Sequence, residues 1–292
     1  MIRFSCSDYS FPLLARAQRF ALLQLLGFKF VDIGLFERSD GLRPGQLLAE
    51  PRAFIKRLQS DLKRARLQAA DVFLQTGVDP AESAANDPVP LVRARNRKAF
   101  LLALDLCSAL GCAHLTGLPG VWHKGVGRPS DLALAVDEAG WRQHVASGAG
   151  VSYAVEAHVG SICSDIASAL SFIDSVPGLT LTLDYGHFVA ASFNSQEVHS
   201  LLPFASHIHV RGGAPKRLQT PVSENQIDFA GMVRRLRKQK YRGFLAVEYV
   251  WVDWEGCNRT DNVSETILLR RQLEEFIGLE SEPAARKEGQ NV

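Results

Sequence analysis

Ser152-Tyr153-Ala154-Val155-Glu156-Ala157, then Asp165–Asp174, then Leu179-Thr180-Leu181-Thr182-Leu183, reads as strand, helix, strand. The outer segments are short runs of branched and small residues, and the middle one repeats its apolar residues at helical spacing. The same unit recurs on both sides. Toward the N-terminus, Ile2–Cys6 precedes Leu13–Leu26, Phe30–Leu35 precedes Ala53–Leu67, Val72–Thr76 precedes Val89–Leu110, and Ala113–Gly117 precedes Asp131–Ala146. Toward the C-terminus, Leu179–Leu183 leads into Gln196–Leu202, His207–Val210 into Phe229–Lys238, and Phe244–Val250 into Ser264–Ile277. Eight strand-then-helix units predict an α/β chain whose parallel sheet closes into a single (β/α)8 barrel.

Gly27 and Gly111 stand where helix C-cap glycines are expected, and Pro129-Ser130-Asp131 offers a capping start to the next helix. No linker or composition break divides the chain, so one barrel domain is expected over 1–279. The stretch 280–292 is polar and aperiodic and reads as a disordered C-terminal tail. An open, doubly wound sheet shows the same alternation. It usually carries a glycine-rich turn after its first strand, whereas here that strand runs into Ser7-Asp8-Tyr9-Ser10.

The 292 residues hold 33 basic and 31 acidic side chains, a net charge of +2. That balance gives no bulk attraction to nucleic acid or membrane, so neither is expected as a partner. The five cysteines are odd in number and form no CxxC pair, which argues against a disulfide framework or a thiolate zinc site. Met1-Ile2-Arg3-Phe4-Ser5-Cys6-Ser7-Asp8 lacks an apolar signal core, and no later run reaches the roughly 18 apolar residues that span a bilayer. A cytoplasmic location is the expectation.

Chemistry concentrates at four strand ends: Val155-Glu156-Ala157-His158, Leu183-Asp184-Tyr185-Gly186-His187, His207-Ile208-His209-Val210 and Val247-Glu248-Tyr249. Barrel active sites are built on the C-terminal face of the strands. Strand alternation groups Ala154 with Glu156, Thr180 and Thr182 with Asp184, His207 and Arg211 with His209, and Phe244 and Ala246 with Glu248. The other faces carry Val155, Leu181, Leu183, Ile208, Val210, Leu245 and Val247, suited to packing against helices. Glu156, Asp184, His209 and Glu248 therefore converge at the mouth as one oxygen-rich ligand set. It suits Mn2+ or Mg2+, with Co2+ or Zn2+ tolerated by the histidine. A cation is the simplest way for three crowded carboxylates to remain ionised. The alternative is four separate buried polar residues, each satisfied by hydrogen bonds.

These strings, with Phe28-Lys29-Phe30-Val31-Asp32-Ile33-Gly34 and Ile227-Asp228-Phe229, resemble the xylose-isomerase-like sugar isomerase/epimerase superfamily over most of the chain. That superfamily includes ketose 3-epimerases, inosose dehydratases, large subunits of enzymes that cleave oxidised C-glycosides, and the endonuclease IV type of DNA-repair enzyme. The resemblance implies that Glu156, Asp184, His209 and Glu248 hold one metal ion and that Glu156 and Glu248 also move protons. It assigns substrate contact to His187 and to a basic residue past His209. Arg211, Lys216 and Arg217 compete for that place, and spacing slightly favours Arg217.

His158 shares parity with Glu156 and either lines the pocket or bonds a neighbouring loop, while His207, a layer deeper, reads as a core histidine. Trp122-His123-Lys124 follows strand four as a mouth loop or a plain surface loop. Tyr9 and Phe36 face the mouth by topology, as pocket wall or as packing. The segment Tyr249–Glu255 is aromatic enough to shape a pocket or a subunit contact, and Asn262-Val263-Ser264-Glu265 reads as the capping segment of the last helix. The basic runs Arg93–Lys98 and Arg234–Lys240 read as solvated helix faces.

The expected activity is isomerisation or epimerisation of a small sugar or keto-sugar by glutamate-mediated proton transfer through a metal-stabilised enediolate. Elimination by a lyase is the alternative. A homo-oligomer fits the first reading and a small partner subunit the second. The endonuclease chemistry is disfavoured, because three zinc ions need more histidines than His114, His123, His158, His187 and His207 supply.

Overall fold

The computed structural model describes residues 2–37 and 42–278. The expected tail, 280–292, lies outside the described residues. Eight parallel strands close into a barrel in chain order: β1 (Arg3–Ser7), β2 (Phe30–Phe36), β3 (Gln68–Gln75), β4 (His114–Gly117), β5 (Ser152–Glu156), β6 (Thr180–Asp184), β7 (Ala205–Val210) and β8 (Phe244–Val247). Closure comes from β1 pairing with β8, Arg3 to Phe244 through Cys6 to Val247. The rival open sheet is thereby excluded.

Among the described residues ten α-helices connect or follow the strands: α1 (Arg16–Leu25), α2 (Pro44–Ala49), α3 (Pro51–Ala65), α4 (Pro90–Leu110), α5 (Arg128–Gly148), α6 (Ile166–Ser175), α7 (Tyr185–Ala190), α8 (Ser195–Val198), α9 (Phe229–Lys238) and α10 (Asn262–Ile277). Val31, Ile33, Val72, Leu115, Val155, Leu181, Leu183, Ile208, Val210, Leu245 and Val247 are all fully buried and join one hydrophobic cluster with the helices. Branched residues on the outward strand face thus form the layer between sheet and helices. The alternate, inward residues are left to fill the barrel and reach its mouth.

Several boundaries differ from the sequence expectation, each for a local reason. β3 starts at Gln68 rather than Val72, so Asp71 is an interior strand residue paired with Asp32 in the register. β8 stops at Val247, and Glu248 follows its end, with its N–H still held by the Val210 carbonyl at 3.0 Å. The helix expected at Gln196–Leu202 is only the single turn α8 followed by a 3-10 segment containing Pro203. Helix α2 was not anticipated.

Gly111 caps α4 in the left-handed region at φ 65°, as expected, whereas α5 begins after Gly127 without a side-chain cap. Asp131 instead turns to the loop before it, accepting from the His123 N–H at 2.8 Å and bonding its Nδ1 at 2.8 Å. The α10 cap is Asp261, one residue before the expected segment, accepting from Val263 and Ser264. The first basic run is only partly solvated: Arg93 and Arg97 reach the buried Glu138 at 3.5 and 3.0 Å, together with Arg142 at 2.7 Å.

Candidate active site

The barrel register sets the heights of the inward residues. Asp184 is level with His209, and His209 with Ala246, so Glu248 stands one inward position above the histidine. Glu156 is level with Thr182, one inward position below Asp184 on β6. All four side chains are buried. His209 Nδ1 lies 2.6 Å from Glu156 Oε1 and 3.4 Å from Glu248 Oε2, so two carboxylates from strands on either side share one ring nitrogen.

Asp184 is placed differently. It is the N-cap of α7, its Oδ1 accepting from the Gly186 N–H at 2.7 Å, while its Oδ2 is bound by the Arg211 guanidinium. Arg211 Nη2 also stands 3.7 Å from Glu248 Oε2 and 3.3 Å from His187 Nε2. The expected four-residue set therefore resolves into two overlapping groups whose ligand atoms lie within 4.8 Å of one another: Glu156, His209 and Glu248, and Glu156, Asp184 and His187. Glu156 belongs to both.

The surroundings drive the titrating groups apart. For Glu156, burial pushes the carboxyl up, but the His209 hydrogen bond and charge overcome it and hold the group at about 2. For Glu248, burial dominates over His209 and Arg211 and raises the carboxyl to about 7. His209 is raised to about 10, against burial, by Glu248 and Glu156. Burial lowers His187 to about 4 in spite of Asp184, leaving a neutral imidazole.

Tyr9 donates its hydroxyl to Glu248 Oε1 at 2.8 Å, a contact the sequence did not reveal. Its ring fits only because position 34 is glycine, since a Cβ there would come within 2.4 Å of Tyr9 Cδ1. Asp8 fixes that glycine by accepting its N–H at 2.9 Å. Tyr9, Phe36 and Phe73 pack edge to face, with centroids 4.8 and 5.2 Å apart around Phe36, and Phe73 lies 5.9 Å from the His209 ring. Strands β1 to β3 thus supply an apolar wall facing the charged one.

Of the other expected site residues, His158 and His187 face each other at 5.9 Å, and Trp254 lies 6.1 Å beyond His187. His158 is held by its neighbour's carbonyl, Nδ1 to Val159 O at 2.8 Å, so it both lines the site and bonds the loop. Arg217 is half exposed and paired with Glu224, away from the cluster. The inward parity of β7 carries to Arg211 and not past the turn at Lys216, whose φ is 63°. Trp122 sits under the Arg128 guanidinium at 5.1 Å and His123 bonds Asp131, and among the described residues neither makes a hydrogen bond, ion pair or ring contact with the four mouth residues.

Beneath this group lies a second polar layer. His207 Nε2 bonds Asp32 Oδ2 at 2.7 Å, as a core histidine should. His114 bonds Asp71 at 2.6 Å and Ser206 Oγ at 2.7 Å, and Ser206 bonds Thr180 at 2.7 Å. His209 Nε2 points toward this layer, 3.8 Å from Asp32 Oδ2.

Fold and cluster together define a (β/α)8-barrel protein with a buried acid–histidine group at the C-terminal mouth of its strands. A family model described as xylose isomerase-like TIM barrel matches residues 20–273, and the chain belongs to that family. Among solved structures it is similar to D-allulose 3-epimerase from Methylomonas sp., at 18% identity and a TM-score of 0.72 over 94% of this chain and 98% of that one. It is also similar to the probable 3-DHS dehydratase involved in petrobactin synthesis from Bacillus anthracis, at 13% identity and 0.67 over 92% and 99%. A xylose isomerase-like TIM barrel protein from Mycobacterium smegmatis, in complex with magnesium, matches at 16% identity and 0.68 over 89% of each chain. At these identities the likeness is one of fold. Sequence comparison with curated proteins finds no match. Among the described residues no helix is long and apolar enough to cross a membrane.

Proposed function

We propose that this chain is a divalent-metal-dependent isomerase or epimerase of a small sugar or keto-sugar, with Glu156 and Glu248 as its proton-transfer residues. One observation carries the reading: two buried glutamates, from β5 and from just past β8, flank the same nitrogen of the β7 histidine at 2.6 and 3.4 Å. Two carboxylates on opposite sides of a substrate carbon can remove a proton from one face and return one to the other.

The residues fit a divalent ion. Glu156, His209 and Glu248 offer ligand atoms within 4.8 Å of one another and Asp184 shares a second such group with Glu156, an oxygen-rich set that suits Mn2+ or Mg2+, and Glu248 Oε2 is buried with no hydrogen-bond partner among the described residues. Glu156, Asp184, His209 and Glu248 are the residues that would hold it. Such an ion, when bound, would polarise the carbonyl and the neighbouring hydroxyl of a substrate and make the proton on the hydroxyl-bearing carbon beside the carbonyl more acidic.

The remaining work falls to the chain. Glu156, held ionised by His209, is the proton acceptor. Glu248 is oriented by Tyr9 through Oε1, which leaves Oε2 turned into the site to carry a proton to or from the opposite face. The Tyr9, Phe36 and Phe73 wall excludes water from the reacting carbon. Neutral His187, His158 and the half-exposed Trp254 line the other side, where the hydroxyls and the C–H face of a sugar are bound.

Incubation of Mn2+-loaded protein with ketose, aldose and keto-sugar pools in deuterated water tests this. Deuterium should enter at a carbon beside a carbonyl and a new epimer or isomer should accumulate. Loss of water or of an aglycone instead would identify a lyase, and absence of exchange on every substrate would remove the proposal.

A further inference from the structure

We infer that Arg211 is a built-in counter-cation that holds Asp184 and Glu248 until a divalent ion binds, and is then displaced toward the substrate side of the site. The inference rests on the metal-dependent reading above.

Both oxygens of Asp184 are already committed, Oδ1 to the Gly186 N–H at 2.7 Å and Oδ2 to Arg211. The same Nη2 stands 3.7 Å from Glu248 Oε2, so one guanidinium nitrogen covers the inward oxygens of two candidate ligands. An ion that took Asp184 and Glu248 would stand close beside this fixed positive charge. The two cations compete for the same oxygens, and only Arg211 can leave without dissociating from the chain.

Arg211 also lacks the features of a permanent structural ion pair. It is almost wholly buried, yet its Nε has no hydrogen-bond partner among the described residues, although buried guanidinium groups are ordinarily satisfied. The chain has made room for it with Gly186, where a Cβ would come 3.0 Å from both Asp184 Oδ1 and the Leu218 carbonyl and 3.3 Å from Arg211 Nε. Its other neighbour is His187 Nε2 at 3.3 Å, the ring that faces His158 and Trp254. A displaced guanidinium is therefore directed toward the side where the hydroxyls or carbonyl of a substrate are expected.

If the arginine-bound state dominates the metal-free protein, the apparent affinity for the ion is reduced by the fraction of molecules in which Asp184 is free. Arg211→Met removes the competitor and keeps most of the side-chain volume. Isothermal titration of the full chain with Mn2+ should show Arg211→Met binding about tenfold tighter than wild type or more. A second measurement needs no variant. Phenylglyoxal modification of wild-type Arg211, followed by peptide mass spectrometry, should rise several-fold on adding Mn2+, as the guanidinium leaves its buried pocket.

Equal or weaker Mn2+ binding by folded Arg211→Met overturns the inference and leaves the metal reading intact. So does labelling that is unchanged by Mn2+ which the wild type demonstrably binds. Should Arg211→Met fail to fold, the labelling decides alone. Binding of Mn2+ by neither protein removes the metal reading and this inference with it.

Discussion

Two groups of buried acids and histidines share the inside of this barrel, and their arithmetic differs. In the deeper group each aspartate has an imidazole of its own, Asp71 with His114 at 2.6 Å and Asp32 with His207 at 2.7 Å. The bonds run on through Ser206 and Thr180 to the Tyr153 carbonyl, although Asp32 and Asp71 each keep one oxygen without a partner. At the mouth, Glu156, Asp184 and Glu248 share two charged partners, His209 and Arg211, because His187 beside Asp184 is held neutral by burial. Buried charge is tolerated where it is matched. The same residue types therefore make a fixed layer where partners come one to one, and a layer able to accept a ligand or a proton where acids outnumber them.

The sharpest way to break this comparison is to remove a carboxylate charge at the mouth. Glu156→Gln and Glu248→Gln should each lower turnover about 10³-fold, equivalent to roughly 4 kcal/mol of barrel-mouth chemistry. Because burial already raises Glu248 to about 7, Glu248→Gln should leave the melting temperature of the metal-free protein unchanged or higher. Full activity in either variant would strip that glutamate of its proton-transfer role. A large loss of stability in Glu248→Gln would show that the mouth is built for structure after all.

The deeper layer should respond in the opposite way. His114→Ala leaves Asp71 buried without its imidazole, the partner that overcomes burial to hold this carboxyl at about 2, and should cost roughly 3 kcal/mol in denaturant unfolding. Turnover by the folded fraction should stay within a few-fold of wild type. A hundredfold drop in kcat with the fold intact would make the lower layer part of the chemistry.

The two layers were unequally legible in the sequence. The barrel and the mouth residues follow from period alone: alternation put Glu156, Asp184, His209 and Glu248 on inward faces, and the structure brings them together there. Asp71 was hidden because Gln68-Ala69-Ala70 carries no branched or aromatic residue, so β3 seemed to start at Val72. Arg211 was legible by parity, but Arg217 competed with it on spacing, and only the turn at Lys216 separates the two in space. The Tyr9 hydroxyl bond spans 239 positions, and no local pattern encodes it.

Asp8, in the turn just past β1, offers a test by pH. Burial raises its carboxyl from 3.8 to about 6, with the Gly34 N–H opposing the shift. The folded state therefore holds this proton more tightly than the unfolded chain. The resulting stabilisation is complete below about pH 4 and is lost as pH rises through 6. Asp8→Asn keeps an acceptor for Gly34 and does not ionise. Between pH 4.5 and pH 8 wild type should lose about 2 kcal/mol relative to this variant in paired denaturant melts. A pH-independent difference would mean that the ionised carboxylate is as well accommodated as the neutral one.

The smallest expected effect falls on the bond that joins the apolar wall to the charged one. Tyr9→Phe keeps the ring against Phe36 and Gly34 and removes only the donor to Glu248 Oε1. Losing one hydrogen bond to a carboxylate is worth about 1.5 kcal/mol, roughly tenfold in rate if the bond matters most when Glu248 carries charge. The loss should appear in kcat, with KM little changed, because Tyr9 touches the proton carrier and not the side lined by His187 and Trp254. The Glu248 limb of the pH–rate profile should also move to higher pH, since the phenol favours the ionised form. An unchanged limb beside a raised KM would place Tyr9 in the wall that binds substrate, and the orientation of Glu248 would then rest on His209 and Arg211 alone.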